Sequence, residues 1–314
     1  MNRPGLSVVI PTFNRGESLR ITLESILAQQ TDVPFEVIVV DNNSSDATPG
    51  IARSYASVRY VFEGRQGLCF ARNSGIVAAE GDVIVFVDDD IIAPPNWLRR
   101  INAVYLERPD AWCVGGKIVL KFAASPPDWF SRRELSGYLS GLDRGDMTSR
   151  LSYPDDVWGA NFSVSRLALA RVGCFRTDLD RSGRYLLSGG DTELCWRIHH
   201  AGGGVYYCGQ AVIAHLVPPS RMTRAYFRHR AYWEGRTSRL LGQKRPPLKW
   251  ILLILAWQQA RAALGRPLNP ARAFSDTLEA WKYLGYIRQC AILALQLLLG
   301  KRNNEPERRL CPPA

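Results

Sequence analysis

Short apolar runs alternate with amphipathic segments along the first part of the chain. Leu6–Ile10 and Glu36–Val40 are apolar and β-branched, and between them Leu19, Leu23, Ile26 and Leu27 return at helical spacing. The pattern predicts strand, helix, strand. It continues through a Ser/Asp-rich turn at Asn42–Asp46, a helix near Thr48–Tyr55, a strand at Val58–Phe62 and a helix across Cys69–Ala79. The strongest strand follows at Asp82–Val87. Unbroken apolar strands alternating with helices imply a mostly parallel sheet covered on both faces. In such sheets ligands bind beyond the carboxyl ends of the strands, where strand order reverses. The polar residues that follow the strands are therefore the candidates for chemistry.

Regularity is lost between 122 and 156, a stretch rich in Pro, Ser, Gly and Arg that contains Pro126–Pro127 and Trp129–Phe130. A loop of this length is usually functional or disordered. Strand-like segments return at Asn161–Val164 and Val205–Tyr207, separated by a helix from about Thr192 to Ala201 that ends at Gly202–Gly204. After His215 the pattern is helical, broken at Pro246–Pro247 and Pro267–Pro270. The expected organisation is an α/β catalytic domain over 1–217 and a helical extension over 218–314. Within the first, 1–121 forms a donor-binding half and 122–217 an acceptor half.

Composition agrees with a globular chain of one large domain and an appendage: 314 residues, 46% hydrophobic. Charge changes the picture. Residues 1–215 carry 22 Lys/Arg and 24 Asp/Glu, whereas 216–314 carry 18 and 5, so all of the +11 excess lies in the last third. That asymmetry implies a different partner there. Seven cysteines, an odd number with no CxxC pair, suggest buried free thiols and neither a disulfide framework nor a zinc site. The chain enters its first strand with no basic leader and apolar stretch, which implies a cytoplasmic protein.

The most informative local feature is Asp88, Asp89 and Asp90 directly after the apolar run Val83–Val87. Three carboxylates at the end of a buried strand repel one another unless a cation offsets their charge. Mg²⁺ or Mn²⁺ suits all-oxygen ligands and leaves coordination positions for phosphate oxygens. A solvated acidic turn is the bland alternative.

Five segments in order resemble the family 2 glycosyltransferases, whose nucleotide-binding fold is called GT-A. They are Ser7–Arg15 (SVVIPTFNR), Val37–Asp46 (VIVVDNNSSD), Ala71–Asp90 (ARNSGIVAAEGDVIVFVDDD), Trp158–Arg166 (WGANFSVSR) and Gly189–Ile198 (GGDTELCWRI), together spanning about two thirds of the chain. The resemblance implies a GT-A nucleotide-diphospho-sugar transferase fold that transfers a sugar with inversion and depends on Mg²⁺ or Mn²⁺. It gives Asp90 and Asp88 to the metal and Asp88 and Asp89 to the donor's ribose and diphosphate. Pro11, Thr12 and Asn14 would line the nucleotide cleft. Asp41 would accept a hydrogen bond from the base, or would simply form a turn with Ser44. Arg72 would neutralise diphosphate charge, His215 would complete the metal shell, and Arg221 and Arg224 would close over the diphosphate.

Deprotonating an acceptor hydroxyl requires one positioned carboxylate. Asp191 stands where the family has its base in a Glu-Asp pair, but here Gly190 precedes it, so one carboxylate remains. Its position also suits a helix cap. Trp158, Gly159 and Asn161 match the family's segment beside donor sugar and acceptor.

In the tail, Trp250–Trp257 and Cys290–Leu299 are apolar but shorter than the ~20 residues that span a bilayer. Lys244, Arg245, Lys249, Arg261, Arg266, Arg288, Lys301 and Arg302 border them. Apolar helices with basic edges and Trp fit an anionic membrane interface, or pack on the catalytic domain. No recognition motif accompanies the charge, so nucleic acid is not an expected partner. The expected partners are a UDP-sugar donor, a saccharide or lipid-linked acceptor, and the inner face of the cell membrane, in surface-polysaccharide or glycolipid synthesis. Two other classes compete: a sugar-phosphate nucleotidyltransferase, whose Gly-rich phosphate loop Pro11–Arg15 does not supply, and a non-catalytic binding protein with a decayed site.

Overall fold

The computed structural model describes residues 5–182, 185–243 and 270–299, with scattered positions between 249 and 260. Its centre is a nine-stranded sheet. The first strands are β1 (Leu6–Thr12), β2 (Phe35–Asp41), β3 (Val58–Phe62) and β4 (Val83–Val87), all mutually parallel in the order β3-β2-β1-β4. Helices α1 (Gly16–Leu27), α2 (Thr48–Arg53) and α3 (Leu68–Ala78) connect them. From β1 the chain builds outward to β3 and then returns to the other side of β1 as β4. The order therefore reverses between β1 and β4, and the crevice lies beyond Thr12 and Val87.

Beyond β4 the sheet is mixed, with antiparallel pairs and one further parallel pair. A two-residue β5 (Ile91–Ile92), the helix α4 (Trp97–Glu107) and the long β6 (Ala111–Phe122) follow. β8 (Asn161–Ser165) inserts antiparallel between β4 and β6, and β11 (Gly204–Val217) runs parallel to β6. β5 and β7 (Thr148–Leu151) both pair antiparallel with β11. The 122–156 stretch is thus more ordered than expected: it holds α5 (Arg132–Leu135), a 3₁₀ turn at Ser136–Leu139 and β7. What looked like a short strand at Val205–Tyr207 is the start of a fourteen-residue one.

The principal core is formed by both sheet faces, with Trp97, Phe86, Phe162 and Tyr207 among its largest buried side chains. Helix α6 (Arg166–Val172) follows β8 directly, capped by the Ser165 side chain. A small hairpin, β9 (Arg181–Ser182) with β10 (Tyr185–Leu186), leads to α7 (Gly190–His200).

The C-terminal helices α8 (Arg224–Leu240) and α9 (Pro270–Leu298) pack against each other and against the 132–139 segment. A second apolar cluster joins them: Phe227, Ala231, Phe274 and Leu278 meet Leu120, Leu135, Tyr138, Leu139 and Val217. Half of the apolar segment 250–257 lies outside the described residues. No described helix is long and apolar enough to cross a membrane. Among the cysteines, Cys69, Cys113, Cys195, Cys208 and Cys290 are free as expected, but Cys174 is disulfide-bonded, which the odd count and scattered spacing had not suggested.

Candidate active site

The crevice at the strand-order reversal is acidic. Thr12, the last residue of β1, donates its hydroxyl to Asp89 Oδ2 at 2.7 Å, tying the ends of β1 and β4 together. Asp90 is 4% exposed and sits among three cationic or basic groups. Arg15 Nη1 lies 2.7 Å from its Oδ2, Arg221 Nη2 3.1 Å from the same oxygen, and His215 Nε2 3.0 Å from Oδ1. Burial works to raise the Asp90 carboxyl, but His215, Arg221 and Arg15 together hold it well below the usual carboxylate range. Burial instead pushes Asp89 up to about 7, against the pull of Arg15.

His215 reaches this point because β11 runs long and pairs with β5, placing His215 opposite Ile91. Ligand atoms of Asp88, Asp90 and His215 lie within 4.8 Å of one another. The residues fit a divalent cation. Two carboxylates and an imidazole converge, and His215 Nδ1 is buried with no hydrogen-bond partner among the described residues. Arg15 and Arg221 already bring positive charge to Asp90, as a cation would.

Asp191 lies in the first turn of α7, after Gly189 in a left-handed conformation with φ of 93°. Its Oδ2 accepts from the backbone N–H of Gly159 at 2.6 Å and its Oδ1 from the N–H of Thr192 at 3.0 Å. A Cβ on Gly190 would fall 2.9 Å from Cys69 Sγ, which explains why no glutamate stands before Asp191. A second carboxylate comes instead from Asp156. It accepts from Trp158 Nε1 at 3.2 Å and from the Thr192 hydroxyl at 2.5 Å. Burial raises Asp156 to about 6, with the Asp191 charge adding to the effect.

Two cavities meet here. One, of about 300 Å³, is lined by Pro11, Thr12, Arg15, Asp88–Asp90, His215 and Arg221. The other, of about 470 Å³, holds Arg72, Asp88, Asp156, Trp158, Gly159 and Asp191. Arg72 is buried, with Nη2 3.9 Å from Asp88 and its guanidinium over the Phe175 ring at 5.2 Å. Gly159 makes room for it, since a Cβ there would lie 2.0 Å from Arg72 Nη2.

Four expected site residues are placed elsewhere. Asn161 is fully buried: it accepts from Trp97 Nε1 at 3.0 Å and donates to the carbonyls of Lys117 and Ala211, so its amide is used up inside the core. Asn14, at φ 53°, faces the next loop and receives the N–H of Ser45. Asp41 is 1% exposed, accepting from Ser44 N–H and the Tyr60 hydroxyl, which is the turn-forming alternative. Neither lines a cavity; Phe13, Asn42 and Gln66 do. Arg224 stacks on Trp129 and Phe274, away from the metal group.

The arrangement defines a nucleotide-diphospho-sugar transferase: a crevice at a parallel-sheet switch point, a carboxylate–imidazole group for a metal, and a separate carboxylate in the adjoining cavity. The chain belongs to glycosyl transferase family 2, whose model matches residues 7–169. It is 28% identical over 243 residues to the glucosyl-dolichyl phosphate glucuronosyltransferase of Haloferax volcanii, covering 75% of this chain and 77% of that one. It is 32% identical over 232 residues to the validoxylamine A glucosyltransferase of Streptomyces hygroscopicus subsp. limoneus, covering 63% of this chain and 49% of the relative. Among solved structures, a mannosyltransferase, PcManGT from Pyrobaculum calidifontis in complex with GDP-Man and Mn²⁺, superposes with a TM-score of 0.56. The match is at 22% identity over 95% of this chain and 76% of that one. GalNAc-T7 with UDP, GalNAc and Mn²⁺ gives 0.51 at 18% identity, covering 74% and 51%. These likenesses establish the GT-A fold.

Proposed function

We propose that this glycosyltransferase transfers a sugar from a UDP-linked donor to a hydroxyl of a saccharide or lipid-linked acceptor, with inversion. The observation that carries the reading is the meeting of two cavities at Asp88, one holding the metal group and the other Asp191. Inversion requires the acceptor oxygen to attack opposite the leaving diphosphate, and one positioned base is enough for such a single displacement. Asp191 takes the acceptor proton. Its contact with Gly159 N–H fixes one oxygen while the carboxylate keeps acceptor capacity for a substrate hydroxyl.

Asp90, Asp88 and His215 would hold Mn²⁺ or Mg²⁺, which when bound neutralises charge developing on the departing diphosphate. Arg72 and Arg221 add positive charge on either side, each already beside an aspartate of the cluster. Trp158, held by Asp156, presents a ring to the acceptor cavity. The lipid-linked class is supported by the name of the Haloferax relative. The exposed apolar side chains of α9, Leu284, Ile287, Leu295 and Leu298, with Arg288 among them, favour an anionic membrane surface as the place of work.

Thermal unfolding with UDP-, GDP- and dTDP-sugars, with and without Mn²⁺, tests the core of the reading. Metal-dependent stabilisation by a UDP-sugar is the expected result. Stabilisation that ignores metal, or none, rejects it. Flotation with phosphatidylserine vesicles at low salt tests the membrane part, and a chain that stays with the buffer has no interfacial surface.

A further inference from the structure

Six residues line both cavities: Leu68, Asp88, Tyr138, Ser140, Arg181 and Arg230. Among the described residues Asp88 is the only carboxylate in this shared wall; Arg72 and the metal group engage it, and its charge also reaches Arg181. The two arginines outnumber it. Arg181 Nε is buried without a hydrogen-bond partner among the described residues. Arg230 Nη1 donates to a carbonyl, that of Leu186, at 3.3 Å. Both line the same wall, and burial, then the Arg230 charge, pull Arg181 down to about 10 against the attraction of Asp88.

Two like charges drawn from water cost stability unless something supplies the opposite charge. Arg15 and Arg221 do not share this position. They pair with Asp90 and line the first cavity alone, on the diphosphate side. The transferred sugar must lie at the shared wall, because its anomeric carbon is reached from the diphosphate on one side and from the Asp191-activated hydroxyl on the other.

We propose that Arg181 and Arg230 form an oxyanion subsite for a carboxylate carried by the transferred sugar, which makes the donor a nucleotide-diphospho-uronic acid. This rests on the transferase reading above. A guanidinium fork matches a carboxylate in plane and charge, whereas the neutral hydroxymethyl of a hexose offers the two arginines no opposite charge.

Calorimetric binding with Mn²⁺ tests it, using UDP-glucuronate against UDP-glucose, GDP-mannuronate against GDP-mannose, and UDP and GDP alone. At least about a 10-fold preference for the uronate is expected in one pair, the size of one charge-assisted hydrogen bond. Arg181→Gln and Arg230→Gln should each bring that ratio towards one, with Arg181→Lys in between. Thermal unfolding without ligand checks that the variants fold, and removing one of two like charges should not lower the midpoint. Equal affinity for charged and neutral sugars in both pairs overturns the proposal. So does an equal loss of bare UDP or GDP affinity in the variants, which would give the arginines to the diphosphate. Failure of every nucleotide to bind with metal would instead overturn the transferase reading beneath it.

Discussion

The backbone N–H of Gly159 donates to Asp191 Oδ2 at 2.6 Å, so the segment after β7 holds the carboxylate at the start of α7 in the wall of the larger of the two cavities. Asp191→Asn keeps an oxygen for that N–H but cannot take a proton. It should keep metal-dependent UDP-sugar stabilisation and lose turnover by about 10²–10⁴-fold, the usual worth of a positioned base. Turnover within a factor of a few of wild type would remove Asp191 from the role.

Gly159→Ala addresses the same loop from its other side. The new Cβ would lie 2.0 Å from Arg72 Nη2, and Arg72 is 4% exposed, with little space to retreat. Displacing the guanidinium should weaken UDP-sugar binding by about 10-fold, one charge-assisted contact. Titration calorimetry measures it, and unchanged affinity would mean that Arg72 does not touch the donor.

Chelation and His215→Ala should act alike. His215 would be the nitrogen ligand beside Asp90 in the proposed metal site, so its loss should lower Mn²⁺ affinity by at least the 10–100-fold that losing a supporting group around a metal already causes. Mn²⁺ electron paramagnetic resonance during titration reports this directly. A variant that binds Mn²⁺ as wild type does would move the metal site elsewhere.

Asn161→Ala should behave as a core mutation. It leaves Trp97 Nε1 and the carbonyls of Lys117 and Ala211 without partners. At about 1–3 kcal/mol per buried unsatisfied group, with partial relaxation, the loss should be about 2–5 kcal/mol. Urea unfolding measures it, and the folded fraction should still bind UDP-sugar. A normal midpoint with lost binding would return Asn161 to the cleft.

Asp180 gives a pH signature. Its Oδ1 accepts the N–H of Cys69 at the start of α3, but burial dominates and raises it from 3.8 to about 6. A carboxyl whose folded value is raised favours folding while protonated. Its contribution is complete below about 3.8 and disappears as pH rises through about 6. Asp180→Asn should therefore gain on wild type by about 1–2 kcal/mol between pH 5 and pH 7.5. Parallel unfolding curves at both values would reject this.

The first four strands were legible in the chain. Runs such as Val37–Val40 and Val83–Val87 admit no solvent face, so they read as central parallel strands, and Asp88–Asp90 then had to lie at a carboxyl end. The acidic cluster was legible as a cation candidate, Asp90 and His215 were singled out through the family resemblance, and the structure brings their ligand atoms together. Gly190 in place of glutamate was visible too, but not its cause, the Cys69 sulfur packed against it, nor its compensation by Asp156.

What tertiary structure alone decided was which polar side chains face the cleft. Asn161, Asn14 and Asp41 each stand at or just past a strand end, as site residues do, yet Asn161 and Asn14 spend their hydrogen bonds on distant segments and Asp41 on its own turn and Tyr60. Arg230 looked like one charge among many in a basic tail. Only the packing of α8 over Leu135 and Tyr138 brings it to Arg181. Periodicity and motif spacing are local properties and determine the elements and the metal cluster. The partner of a side chain depends on contacts across the fold, which no local pattern encodes.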